Sequence, residues 1–299
     1  MNQYKLNSTF IIKVVIAVIA LFIIAPDFEV LRRFVFGFGQ FITPSIFVLF
    51  FAILQYTLLK NNKFMALLVW MLIFAFILLN IKDGWPTGLM VNVVLTLMCL
   101  PMTFILALLF AVLRFQSTLL VLKIFATVII ESVRGVPLIG LMIFILSVGA
   151  DMVPAYWMMP KIITLWMIYS LFAGVYLAEV FRGGFQSIPK AYFDGAYALG
   201  MSPLKTYVYV LVPKVVIDTI PAAFNVYIGL FKETSLVLLF GYFDLMNIAL
   251  NYLDFPEHYD ESIKIYMMVL ILFWIVATIM HEYGHYLFKT FSKYEAKKT

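Results

Sequence analysis

Apolar runs of about 17–25 residues recur along this chain, each long enough to cross a hydrocarbon core about 30 Å thick as one helix. The runs Phe64 to Leu79 and Met267 to Met280 contain no charged side chain. A transmembrane barrel needs segments of about ten residues that alternate in polarity, and that pattern is missing. In lipid a backbone must satisfy its own polar groups, so helices are the remaining way across. The expectation is an all-α, polytopic transmembrane helical bundle seated in a lipid bilayer.

Of the 299 residues, 64% are hydrophobic and 12% charged, and mean hydropathy is +1.02. Ordinary soluble domains are about 45–50% apolar. The net charge of +5 sits in short connections and at the C-terminus, which reads as membrane topology and predicts no nucleic-acid partner. Cys99 is the single cysteine, so neither an intrachain disulfide nor a multi-cysteine metal site is possible. Lys5 followed by an apolar stretch resembles a secretory signal, but Lys13 interrupts it and no small-x-small cleavage site precedes Pro26. An uncleaved first helix is expected.

Polar breaks predict about eight spans, near residues 10–25, 41–59, 64–81, 88–113, 124–148, 162–181, 207–231 and 263–288. With both termini cytoplasmic, about thirteen Lys and Arg fall inside and about five outside, the expected bias. The sequence places the chain in a cell inner membrane as a multi-pass protein. One inside connection, Arg182 to Thr206, is longer than the rest and carries helical pieces separated by Gly and Pro, as a docking element would.

Charges within or beside apolar spans need partners or water, because a lone charge in hydrocarbon costs several kcal/mol or more. Glu131, Arg134, Glu179, Lys232 and Glu233 are of this kind. Glu131 and Arg134 lie three apart on one helical face, so they either pair to fasten the bundle or line a pathway. Gly135 and Pro137 follow directly and permit an interrupted helix, a feature that often lines a cavity. Lys232 and Glu233, with Thr234 and Ser235, have the same two readings.

Asp194-Gly195-Ala196, then Gly200, then Val210, Val212 and Pro213 resemble the EAA motif of importer permeases. GGFQSIPK, ALGMSP and FKETSLV are similar to blocks of the polar-amino-acid branch, in the same order. ESVRGVPLI and AEVFRGG bring the chain closest to the general L-amino-acid permease membrane subunits. Departures are Asp194 and Gly195 in place of Glu and Ala, Glu233 for the usual Asp, and Val210 and Val212 for Ile and Leu. Gly195 loosens a helix by about 1 kcal/mol relative to Ala.

The resemblance implies three extra N-terminal helices over residues 1–85, a five-helix importer-permease core over 86–291 with its EAA-type loop at 182–213, and a cytoplasmic tail at 292–299. Residues 182–213 would form a cytoplasmic coupling helix in which Tyr192, Asp194, Gly195, Ala196, Leu199, Gly200 and Pro213 engage an ATPase subunit. Glu131, Arg134, Gly135, Pro137, Glu179, Arg182, Lys232, Glu233, Thr234 and Ser235 would form the substrate pathway or its gate. The implied partners are an ABC ATPase, a second, homologous permease subunit and a periplasmic amino-acid-binding protein, with an L-amino acid as cargo. ATP and Mg would belong to the ATPase. The chain contains no G-x-x-x-x-G-K-[ST] and is expected to hold no cofactor and to perform no bond chemistry.

A competing pattern is His281-Glu282-Tyr283-Gly284-His285, which fits H-E-x-x-H and with it an intramembrane zinc metalloprotease. Such a site needs a third protein ligand, and His258 is the only other histidine. The pentad lies at the expected cytoplasmic end of the last span, where polar residues belong in any case.

Overall fold

The computed structural model describes residues 87–116, 120–149 and 160–296, with the isolated positions 13, 16, 17 and 20. The helices expected in residues 1–85 otherwise lie outside the described residues. The described elements are helical, and the only β-type pairing among them is an isolated bridge between Gly88 and Asp244. Helix α1, Leu89–Gln116, contains Pro101 and carries Arg114 in its last turn. Helices α2, Leu120–Gly135, and α3, Leu138–Phe144, meet at an elbow of 95°. Pro137 caps α3 with extended backbone (φ −66, ψ 133) and has no amide to continue the α2 ladder.

Helix α4, Lys161–Ser187, stops because Ile188 precedes Pro189 and takes extended backbone (ψ 125). Then follow α5, Lys190–Ala198, and the short α6, Pro203–Thr206. A π-turn over Tyr207–Leu211 leads into α7, Val212–Asp218. Helix α8, Ile220–Glu233, tightens into a 3-10 segment, Thr234–Phe240. Helix α9, Leu245–Leu253, is capped by Asp244, and after a 3-10 turn, Pro256–Glu261, comes α10, Ser262–Ala296. Helix α10 thus takes in most of the segment expected to be a tail.

Four stretches are long and apolar enough to span a membrane: Leu89–Arg114, Lys161–Ser187, Ile220–Phe240 and Pro256–Ser292. The bent α2–α3 pair makes a fifth. The span expected at 207–231 is displaced to Ile220–Phe240. Its supposed first half is broken by the π-turn and by Thr219 (φ −94, ψ 0), while Lys214 pairs with Asp218 at 2.8 Å on α7.

The chain divides into two compact units, one holding residues 87–101 and 234–275, the other 102–233 and 276–296. In the second, α4 is the hub and packs against α2, α7 and α8. Its core gathers Phe181, Phe185, Ile130, Leu211 and Val215, with Phe104 edge-on to Phe181 at 5.6 Å. Small residues set the approach: Gly184 faces Val215 and Thr219, and Gly284 of α10 lies under the Phe224 ring. Close backbone approach through glycine is how helices gain dispersion contact where lipid is as apolar as leucine.

The first unit is pinned by a buried polar knot. Asn92 Nδ2 donates to Thr234 Oγ1 (3.1 Å) and Asp244 Oδ2 (3.2 Å), and Asn92 Oδ1 accepts from Leu245 N (3.3 Å). Asp244 caps α9 by accepting from the amides of Met246 and Asn247. Asn92, Thr234 and Asp244 are each fully buried.

Candidate functional site

Helix α5 and its exit carry the EAA-like residues. Leu199 caps α5, Gly200 follows at φ +71, Gly200 N donates to Tyr197 O (2.9 Å), and Met201 N donates to Ala196 O (3.1 Å). These two bonds are a Schellman closure, and its left-handed position favours glycine because a Cβ there meets the carbonyl. Ala196 is buried, while Tyr192, Asp194, Gly195, Leu199 and Gly200 are exposed, Leu199 at 83%. Phe193 holds the helix down by an edge contact with Tyr207 at 6.1 Å. Pro213 is exposed in the first turn of α7. The loop therefore offers Tyr192, Tyr197 and Leu199 outward on a helix anchored from below.

The charged residues of α2 and α4 converge on Glu179. Its Oε1 accepts from Arg114 Nη1 at 2.5 Å, and its Oε2 accepts from Arg182 Nε at 3.0 Å and Nη2 at 2.9 Å. Arg134 approaches Oε2 at 3.8 Å. Glu131 accepts from Arg114 Nη2 at 2.9 Å. Glu131 and Arg134 are thus not each other's partners, as their spacing suggested: each reaches another helix. Three guanidinium groups around two carboxylates leave one positive charge in excess. Arg134 is the most loosely held and lies with its guanidinium carbon 5.8 Å from the Tyr176 ring centroid. Gly135 and Pro137, both exposed, form the elbow directly after it.

Lys232 is exposed, Glu233 is half-buried, Thr234 is buried in the Asn92 knot and Ser235 is half-buried. Glu233 lines a cavity of about 140 Å³ with Phe172, Ala173, Tyr176, Val226, Gly229 and Leu230. Arg114, Tyr176, Asn92 and Asp244 were not foreseen as site residues. A polar Asn92 and Thr96 within an apolar run, and an arginine closing that run, were the available signals. The pairing of Arg114 with Glu179, 65 positions on, was not readable.

His281 and His285 share one face of α10 with ring centroids 4.6 Å apart. Among the described residues no three His, Cys, Asp or Glu side chains form a possible metal set.

Long apolar helices, one span broken at an elbow and a short exposed helix between spans define a polytopic membrane protein, and this is the architecture shared by transporter permease subunits. The chain belongs to the family of binding-protein-dependent transport system inner membrane components, whose model matches residues 72–284. Over 181 residues it is 33% identical to the inner membrane amino-acid ABC transporter permease protein YhdY of Escherichia coli, 59% of this chain and 48% of that one. Over 213 residues it is 31% identical to the glutamate/glutamine/aspartate/asparagine transport system permease protein BztC of Rhodobacter capsulatus, 68% of this chain and 46% of that one. The chain thus spans about half the length of these curated relatives. The crystal structure of an amino acid ABC transporter with histidines shares the fold, with TM-score 0.59, 20% identity and cover of 77% of this chain and 100% of that one.

Proposed function

We propose that the chain is a permease subunit of an ATP-binding-cassette importer and forms half of a pathway that carries L-amino acids from periplasm to cytoplasm. The observation that carries this reading is the α5 helix, closed by the left-handed Gly200 and presenting Tyr192, Tyr197 and Leu199 outward, in a chain of this transporter family. A helix with a few apolar and aromatic anchors suits the groove of a partner. That partner is a separate ATPase, which binds ATP and Mg in place of this chain. Tyr192, Asp194, Gly195, Ala196, Leu199, Gly200 and Pro213 transmit its closure.

The pathway residues are Glu131, Arg134, Gly135, Pro137, Glu179, Arg182, Lys232, Glu233, Thr234 and Ser235. A second, homologous but non-identical permease supplies the other half, and a periplasmic binding protein delivers the cargo. The core extends over residues 86–291, residues 1–85 add about three helices, and both termini lie in the cytoplasm of a bacterial cell. Transport then requires two packings of similar energy, each with its own contact to the ATPase.

The test is amino-acid-stimulated ATP hydrolysis and uptake by the complete complex in liposomes. Gly200→Arg abolishes both while assembly is retained, and Glu282→Gln leaves both as in wild type. A harmless Gly200→Arg overturns the coupling assignment. Loss of activity with Glu282→Gln, together with stoichiometric zinc, would favour the protease instead.

A further inference from the structure

Helix α10 carries two imidazoles that transport leaves unused. His281 and His285 share a helical face, and their ring centroids stand 4.6 Å apart with the planes at 73°. His281 is exposed and His285 half-buried, whereas another side of the same turn is packed: Gly284 lies under the Phe224 ring, and Tyr283 meets that ring edge-on at 5.8 Å. The pair thus lies off the face that packs on α8. Among the described residues neither imidazole takes part in a hydrogen bond or an ion pair, and each has the other as its ring contact.

The pair also stands where an ion can reach it. The stretch Pro256–Ser292 is 37 residues long, about 55 Å at about 1.5 Å per residue and well beyond a hydrocarbon core about 30 Å thick. Its uncharged run ends at Met280, so His281 and His285 mark the place where the helix leaves hydrocarbon for water.

The spacing suits a shared metal ion. With metal–nitrogen bonds of about 2.0–2.1 Å, each ring centre lies about 3.2 Å from the ion, so two centres stand about 4.5 Å apart at a right angle and about 5.2 Å apart at a tetrahedral one. The observed 4.6 Å is close to the right-angle value. Right angles belong to square-planar and octahedral ions, and imidazole suits Cu2+ and Ni2+ where oxygen ligands suit Mg2+.

We propose that His281 and His285 chelate a divalent transition ion of the Cu2+ or Ni2+ kind on the surface of α10, with water filling its remaining positions. Two protein ligands do not make the three-ligand centre of a metalloprotease, and the site performs no hydrolysis. The ion clips one turn of α10 beside the Gly284–Phe224 contact and holds that turn helical. The chelate does not depend on the importer reading, and either can fail without the other.

The test is calorimetric titration of the full chain, purified in detergent without a histidine tag and stripped with EDTA, against Cu2+, Ni2+ and Mg2+. Wild type takes up one Cu2+ or Ni2+ per chain, Cu2+ the more tightly, and no Mg2+. His281→Ala and His285→Ala each weaken binding by at least the roughly 10–100-fold that loss of an outer-shell partner costs at a metal site. His258→Ala, which removes the only other histidine, binds as wild type. Lys289 is exposed four residues beyond His285, so adding Lys289→His to His281→Ala restores the spacing and with it the affinity. Ni2+ raises the melting midpoint of wild type and of that restored variant, and leaves the single alanine variants unmoved. Absence of stoichiometric binding by wild type overturns the site. Binding that survives both single alanine substitutions means an adventitious ion only and overturns it as well, as does failure of Lys289→His to recover the affinity.

Discussion

Gly183 and Gly184 are consecutive on α4 and predict opposite outcomes for the same substitution. A Cβ at Gly184 falls 2.7 Å from Thr219 Cγ2 and 2.9 Å from Val215 Cγ1, distances that real Cβ atoms do not adopt. Neither neighbour can swing away cheaply: both are β-branched, Val215 is buried, and Thr219 Oγ1 is tied to Val215 O at 2.7 Å. Gly184→Ala must push α4 from α7, and such overpacking costs about 1–3 kcal/mol. At Gly183 a Cβ meets nothing within 4 Å, so alanine there gains about 1 kcal/mol of helix propensity. The purified protein is heated in detergent, with loss of its native elution peak as readout. The propensity gain is common to both variants, so the overpacking cost alone separates them; at about 2–4 °C per kcal/mol for a domain of this size, the two midpoints should differ by about 2–12 °C in the stated order. Equal midpoints, or a more stable Gly184→Ala, would refute the packing argument, because composition and helix position are the same in the two variants.

Glu179→Gln removes the negative charge shared by Arg114, Arg134 and Arg182 and turns one acceptor oxygen into a donor, leaving like charges facing one another; a loss of about 3 kcal/mol, partly relieved by added salt, is expected in the same melt. Burial pushes the Asp244 carboxyl up to about 6, against the donors Asn247, Asn92 and Met246 that favour its ionised form. The folded state then holds this proton more tightly than the unfolded chain, so the stability it lends is full below about pH 4 and is lost as pH rises through about 6. Melts across that window should show the fall in wild type and a flatter profile in Asp244→Asn. Gly200→Ala forces a Cβ into left-handed backbone at φ +71 at a cost of about 1–2 kcal/mol, and should lower coupled ATP hydrolysis less than Gly200→Arg does.

The helical class and, among the described residues, most of the expected spans were legible because lipid admits so few solutions and apolar length states the answer directly. The EAA-like residues were marked out by resemblance alone, and the helix closure at Gly200 that joins Tyr197 and Ala196 to its exit became visible only in the fold. The span placed at 207–231 was not, because hydropathy alone does not register the π-turn at Tyr207–Leu211 or the break at Thr219. The charge cluster was half legible: Glu131, Arg134 and Glu179 stood out as charges in apolar surroundings, and Arg182 entered through the resemblance. Their partners did not, because Arg114 lies 65 positions from Glu179 and the i,i+3 spacing offered Glu131 and Arg134 as a pair that the fold does not make. Asn92 and Asp244, 152 positions apart, meet only through the tertiary fold.

The elbow between α2 and α3 has a consequence for the backbone itself. A helix that stops at Gly135 leaves the carbonyls of its last turn without donors, and one that restarts at Leu138 leaves its first amides without acceptors. Acyl chains offer neither, at a penalty of several kcal/mol per group. This span cannot turn its corner toward lipid tails. The angle of 95° therefore orients this helix pair: whatever faces the corner must be wet or must itself be protein, a demand set by peptide groups before any side chain is chosen.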